Sequence, residues 1–457
     1  MQKLIIINDA LNAFAWGPVM LALFIGVGIY FSARLGLIQA VQFKLMLKKT
    51  LGGIFKRPEE DSGENLTPFQ AMCAALAGTV GTGNIAGVTG AIFVGGAGAV
   101  FWMWVSAFLG MSTKYAEIVL AMKYRRRDAD GKFYGGPMYY IEDGLGREWQ
   151  WLAYAFALLG GMASFGIGNI AQGTEISAAA SALFNLDARV TGLILAGAVG
   201  LIILGGIRRI GSFTAILVPF MSAFYILAGV FIIIIKLDAL PAAFGMIIKG
   251  AFSTQAAAGG LVGCGIRGAI RQGVARGVFS NEAGLGSAPI IHAASDCDEP
   301  CEQALWGMLE VFLDTIVICT ITALALLLSG VCPAGGGISS GGAAAATAFD
   351  ILLPGDFGGK IIRLSMIFFA LSSIVSWSYY GERCFSYLCG ESRVVKTAYR
   401  LIFSITCYFG ATGSGELMWG ISDTLNGLMA LPNLLALLLL SGRVKELSED
   451  YFSRQRA

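Results

Sequence analysis

The sequence predicts an all-α polytopic membrane protein. It has eleven transmembrane helices, arranged as one extra N-terminal helix followed by two inverted sets of five. Two observations predict this: where charge is missing, and where glycine collects. Charged residues are 14% of the 457-residue chain, hydrophobic residues are 56% and mean hydropathy is +0.70. Average proteins carry about 25% charge and about 7% glycine. The 62 glycines here are about twice that average. So high an apolar content excludes disorder. With 11 prolines and no three-residue glycine period, collagen is excluded too. A net charge of +2 gives nucleic acid no hold on the chain. A single histidine, His292, argues against histidine-based metal sites and a Ser/His/Asp triad. The nine cysteines contain no CxxC pair and form no disulfide framework.

A spanning helix needs about 20 mostly apolar residues, and a central charge costs about 2.5–3.5 kcal/mol. Charge-free stretches therefore mark the spans. Residues 10–33 form the first, too long for a signal-peptide core and read as retained. Residues 65–113 hold no charge and supply the second and third, with a turn near Gly95-Gly96 and the third continuing to about Met122. The fourth to sixth are 149–174, 190–207 and 210–235. The seventh begins at 250–266, and the eighth is 303–330, which carries Glu310 and Asp314. The last three are 364–381, 396–415 and 417–442. Loop Lys and Arg set orientation. With the N-terminus outside, 25 fall in cytoplasmic segments and 6 outside, so the C-terminus is cytoplasmic. The expected units are 1–64 (extra helix and linker), 65–238 and 239–442 (the two halves), and 443–457 (a cytoplasmic tail).

Two spans are interrupted by glycine, at Gly78–Asn84 and at Gly259–Gly265. Close helix packing explains scattered glycines such as Gly197 and Gly229. It explains Gly81-Thr82-Gly83 less well, because neighbouring positions do not share a helix face. Unwound backbone at membrane depth is tolerated where it lines a cavity. Each set of five spans begins with its glycine-broken helix, and that pairing marks a secondary-transporter binding site. At the break, the amides near Thr82, Gly83 and Asn84 suit a carboxylate. The carbonyls that end the first half near Val80 suit a hard cation. In the same way, the backbone at Gly263 is expected to meet substrate.

Five stretches carry a family resemblance: GTVGTGNIAGV at 78–88, YGGPMYYIEDGLG at 134–146, GVARGVFSNEAGLGSAPI at 273–290, MLEVFLDTIVICT at 308–320 and SWSYYGERC at 376–384. Together they resemble the alanine or glycine:cation symporter family. The resemblance implies a LeuT-type five-plus-five inverted repeat behind one extra helix, and movement of small amino acids with sodium. By similarity to the V-G-L-G-N stretch of sodium-coupled neurotransmitter-type transporters, the Ala77 and Val80 carbonyls would hold sodium. Asn84 would hold a second ion. Hydroxyls of Ser372 and Ser376 would complete the sodium shell. Thr174 and Arg267 depart from the family pattern.

Other candidates come from helical spacing. Spacings of four and three put Phe165, Asn169 and Gln172 on one helix face, with Asn169 and Gln172 orienting an amino acid against a Phe165 wall. The alternative for the two amides is helix–helix hydrogen bonding. Ser373 and Trp377 are one turn apart, with Trp377 limiting substrate size or serving as an interfacial anchor. Asp314 and Glu310 serve an ion path or pair with Arg267 or Arg271. Glu117 is expected to pair with Lys114, Glu175 to line an outer vestibule, and Glu282, beside Asn281, Gly284 and Gly286, to form a cytoplasmic gate. Residues 41–55 read as an amphipathic surface helix, and 331–359 as an outside lid or linker. His292, Cys297 and Cys301 read as an ordinary loop, with metal binding the lesser alternative.

The function expected is uptake of alanine or glycine coupled to Na+, with the lipid bilayer as surroundings. The alternative is a proton-coupled symporter of the same or another small neutral amino acid, serine or glutamine. A channel would show repeated acidic or carbonyl rings, and an enzyme would need a nucleophile beside a base. The sequence displays neither.

Overall fold

Proline and glycine punctuate the chain where its helices begin and end. Pro18, Pro68, Pro137 and Pro300 each open a helix, where a missing N–H costs nothing. Thr67 and Gln70 close a reciprocal capping box at the second of these. The computed structural model describes residues 2–54, 65–252, 265–331, 341–413 and 416–456.

The chain opens with α1 (Gln2–Ala15), α2 (Pro18–Arg34), α3 (Ile38–Val41) and α4 (Phe43–Ile54). Next come α5 (Pro68–Thr79), a single 3₁₀ turn (Thr82–Asn84), α6 (Ala86–Gly95) and α7 (Gly98–Lys123). A two-stranded antiparallel hairpin, β1 (Arg126–Arg127) and β2 (Phe133–Tyr134), leads to α8 (Pro137–Leu145). Then α9 (Gln150–Phe165) runs through a π turn (Gly166–Ile170) into α10 (Ala171–Phe184). Helices α11 (Ala188–Ile203), α12 (Gly206–Ile235) and α13 (Leu240–Phe252) follow, and then α14 (Gly265–Asn281) and α15 (Ala288–His292). Helix α16 (Pro300–Val311) passes through a second π stretch (Phe312–Cys319) into α17 (Thr320–Ser329). The chain ends with α18 (Gly341–Leu352), α19 (Phe357–Cys389), α20 (Arg393–Thr412), α21 (Glu416–Leu439) and α22 (Ser441–Arg456).

Among the described residues, six helices are long and apolar enough to cross a bilayer, and a seventh crossing is the pair α5 and α6, bent by 59°. That bend lies where glycine interrupts the second expected span. The third expected span is α7, which carries Lys114 and Glu117 through its interior. The fifth is α11, of 16 residues, and the tenth is α20, whose first eight residues include Arg393, Lys396 and Arg400. The seventh falls largely on residues 253–264, outside the described residues.

Helix α5 is deep in the bundle, buried without interruption from Ala71 to Thr79. A pair of backbone bonds fixes its entry: Leu66 N donates to Ala294 O at 3.0 Å and Asp296 N to Leu66 O at 2.8 Å. The outer helices turn apolar side chains outward. Leu193, Leu201, Ile216, Leu227 and Phe409 are all more than half exposed, as suits contact with lipid tails.

Two peripheral expectations need correction. The segment 331–359 is not all loop, because it contains α18 with Phe349 fully buried. Helix α4 does not simply lie on a surface. Its Met46 and Thr50 are buried and Lys49 pairs with Glu302 at 3.0 Å, so its apolar side is covered by protein. The tail is also helical: in α22, Ser448 bonds to Tyr115 at 3.1 Å and Tyr451 is buried.

Candidate functional site

The break between α5 and α6 sets out the site. Val80 and Gly81 are extended, which ends α5 and turns its last carbonyls away from any helical partner. The Gly81 amide is caught by Asn84 Oδ1 at 2.9 Å. Asn84 Nδ2 in turn donates to Asp314 Oδ1 at 2.6 Å, and its carbonyl accepts from Thr322 at 2.8 Å. Asp314 also accepts from Ser280 at 2.8 Å and Thr315 at 2.7 Å. A fully buried carboxylate thus holds the unwound segment through one asparagine. Asn84 and Asp314 were expected to act on ions separately, and the structure joins them.

Three serines of α19 run alongside α5. Ser373 donates to Ala77 O at 3.1 Å and Ser372 approaches the same oxygen at 3.4 Å. Ser376 lies a turn away and donates to Ala74 O at 2.7 Å. Ser376 therefore does not join the oxygens at Ala77. Val80 is fully buried beside them.

A narrow cavity of about 20 Å³ borders the break. Gly81 and Gly83 form one wall, and Gln172, Ser373 and Trp377 another. Gly78, Thr79, Ile167, Phe279, Ser280, Glu282 and Asn426 complete it. Thr82 bonds to Gln172 Oε1 at 3.1 Å, so the side chain of the broken segment reaches the fourth span. Trp377 is 4% exposed and stacks edge-on with Tyr380 at 5.3 Å, which places it at the cavity and not at an interface. Gly168 makes this seat possible, since a Cβ there would lie 2.3 Å from Trp377 Cβ. Glu282 was expected as a gate outside the site. It lines the cavity, bonds to Ser287, and adopts a left-handed backbone (φ 55°) that is costly for a non-glycine residue.

Phe165 and Asn169 are not brought to this cavity. Asn169 donates to Phe403 O at 2.8 Å, and Phe165 packs among Phe385, Tyr399 and Phe403. Their expected common face with Gln172 assumed a regular α-helix. The π turn at Gly166–Ile170 adds residues to the turn and rotates Gln172 away from the other two. Gln172 binds Ile167 O, five residues back, at 3.2 Å. Gly263 lies outside the described residues.

The charged pairs also differ from expectation. Lys114 Nζ lies 3.2 Å from Glu310 Oε1, with both side chains fully buried. Glu117 instead accepts from Gly286 N at 3.0 Å and Asn433 at 2.6 Å. Spacing on one helix favoured the Lys114–Glu117 pair, but packing against α16 decides the outcome. His292 bonds to Glu310 at 3.0 Å and to Gln303 at 2.8 Å, so it is a core residue, and no three-residue metal cluster occurs among the described residues. Sequence reasoning missed Phe279, Ser280 and Asn426. No local pattern marks them, because they meet the break only through tertiary packing.

Gly81→Ala tests the contact between the break and α19. The new Cβ would sit 2.6 Å from Ser373 Oγ, and to make room that hydroxyl must leave Ala77 O. The concentration of the driving cation that gives half-maximal uptake is expected to rise about tenfold, the equivalent of one lost charge-assisted bond. Ser373→Ala is expected to act in the same direction. An unchanged cation dependence in both would contradict this role.

A helical bundle with a broken central helix and a small polar cavity at the break is the arrangement of a membrane transporter. The profile of the Sodium:alanine symporter family matches residues 1–457, and the chain belongs to that family. It is 48% identical over 440 residues to the sodium/alanine symporter AgcS of Methanococcus maripaludis, covering 95% of this chain and 94% of that one. Its fold is shared with MhsT in complex with L-phenylalanine, at TM-score 0.56 and 14% identity, covering 84% of this chain and 99% of that one. A Na+-coupled sialic acid symporter in a substrate-bound outward-open state matches at TM-score 0.53 and 15% identity, over 96% of this chain and 85% of that one.

Proposed function

We propose that the protein takes up alanine or glycine with Na+ by alternating access. Eleven spans form two inverted sets of five (65–238 and 239–442) behind the first helix, with the N-terminus outside and the C-terminus in the cytoplasm. The observation that carries this reading is the meeting of Ser372 and Ser373 with the Ala77 carbonyl beside a glycine-walled cavity. Oxygens held about 2.4 Å from a hard cation of calcium's size stand roughly 3.1–3.7 Å apart around it. The two Ser–Ala77 separations, 3.1 and 3.4 Å, suit that spacing, with Val80 as a further carbonyl donor. The substrate carboxylate meets the Thr82 and Gly83 amides at the start of the second half-helix, where the helix dipole favours an anion. Gly81 and Gly83 allow close approach of backbone to ligand. Trp377 and Gln172 close the far side, so the room left suits a methyl group or a hydrogen as side chain.

One cation entering through the full field supplies about 2.3 kcal/mol per 100 mV, enough for roughly fifty-fold accumulation. The test is purified protein in liposomes, with labelled alanine and an imposed gradient of sodium, potassium or protons. Uptake is expected under the sodium gradient alone. Equal uptake with potassium would remove the coupling. Uptake that follows the proton gradient without sodium would replace the ion.

A further inference from the structure

We infer that Glu282 receives the ammonium group of the transported amino acid, an inference that rests on the uptake reading above. Glu282 stands at a second helix break. Helix α14 ends at Asn281 and α15 begins at Ala288. Between them Glu282, Gly284 and Gly286 all take positive φ, at 55°, 88° and 85°. Asn281 Oδ1 fixes the start of this stretch by accepting from Ala283 N at 3.0 Å. Glycine takes such a backbone freely and glutamate does not, so position 282 carries its carboxylate at a conformational cost. That carboxylate lines the same cavity as Gly81 and Gly83 of the first break.

Among the described residues, Glu282 is the one charged side chain on the cavity wall. The other polar side chains there are largely engaged. Gln172 accepts from Thr82, Ser280 donates to Asp314, and Ser373 donates to Ala77 O. Glu282 is 3% exposed, and its carboxylate accepts one hydrogen bond, from Ser287 to Oε2. Oε1 has no partner among the described residues. Nor is it shut away: Oε2 of Glu117 is sealed in protein, and Oε1 of Glu282 is not. No lysine or arginine among the described residues pairs with it, and Lys114 is held by Glu310.

A buried carboxylate with a free oxygen and no counter-charge is costly, and a cation that hydrogen-bonds to it relieves the cost. An α-amino acid brings such a cation. Its carboxylate and ammonium sit on one carbon, so a molecule whose carboxylate meets the Thr82 and Gly83 amides turns its ammonium to another wall. At about 20 Å³ the cavity is small enough for one such molecule to reach both. A site built around this contact rejects an analogue without the amine, since the carboxylate is then left unpaired.

The experiment measures binding to full-length protein in detergent with saturating sodium. Labelled glycine, alanine, serine and glutamine are compared, and the tightest is set against the acid that lacks its amine (propionate for alanine). Glu282→Gln is expected to weaken the amino acid about thirtyfold, and to tighten the amine-free acid by removing a like charge. Opposite signs from one variant do not follow from misfolding. A change below threefold for the amino acid would overturn the inference. So would equal weakening of both ligands, the mark of a gate. A raised sodium requirement with unchanged amino-acid affinity at saturating sodium would make Glu282 an ion ligand instead. Binding of serine or glutamine without alanine or glycine would remove the substrate proposed above, while the same comparison still decides the role of Glu282. Binding of none by the unmodified protein would end both.

Discussion

Lys114→Met is expected to destabilise the solubilised protein by about 3–5 kcal/mol, the cost of leaving a buried charge without its partner. Glu310 is fully buried, and in this variant it would keep only the bond from His292. The imidazole is itself fixed, since the Gln303 amide lies at Nδ1 and Ser295 bonds to Gln303 at 2.9 Å. With Gln303 donating to Nδ1, the Nε2 hydrogen faces Glu310, so a neutral ring satisfies the network. Gly307 leaves space for the lysine stem, because a Cβ there would stand 3.2 Å from Lys114 Cγ. Adding Glu310→Gln to Lys114→Met removes the stranded charge and keeps an acceptor for His292. The double variant is expected to recover most of the loss, since exchanging a whole buried pair is often near neutral. Thermal melting in detergent decides it. A single variant that melts with the unmodified protein would show the pair to be dispensable.

Asp314→Ala is expected to lower cation-driven uptake about a hundredfold, because a buried charged acceptor is worth about 1.5–3 kcal/mol per bond lost. Its carboxylate orients Asn84, and Asn84 holds the Gly81 amide at the break. Losing the first link frees the second. Asn84→Ala is expected to do similar damage, and the two together little more than either, as for residues acting in one chain. Uptake within threefold of normal in Asp314→Ala would break this account, and so would fully additive losses.

The sequence carried the fold further than it carried the site. Missing charge marks crossings because the bilayer penalises each charge separately, and that is local information. The Gly81-Thr82-Gly83 break was legible for the same reason: three adjacent residues state it, and the structure bends there by 59°. The partner of Lys114 was not legible, because Glu310 lies 196 positions away and Glu117 only three. Ser280 was hidden in the same way, one residue from the Asn281-Glu282 pair read as a gate. Phe165 and Asn169 failed for a subtler reason. Their spacing was read correctly, but the helix departs from 3.6 residues per turn at Gly166–Ile170, on the way from Phe165 to Gln172. Nothing in Gly166-Ile167-Gly168-Asn169-Ile170 announces a π turn, although its two glycines permit Ser422 and Trp377 to press against it.

That π turn has a bearing on how such a protein diversifies. A helix with a surplus residue is two helices of different phase on one axis. Gln172, on the later phase, meets the cavity, while Phe165 and Asn169, on the earlier phase, are committed to the packing of α20. Selection for a new substrate can then change Gln172 while Phe165 and Asn169 keep their packing. Deleting one residue from the turn would merge the two phases and bind the evolution of specificity to that of the scaffold.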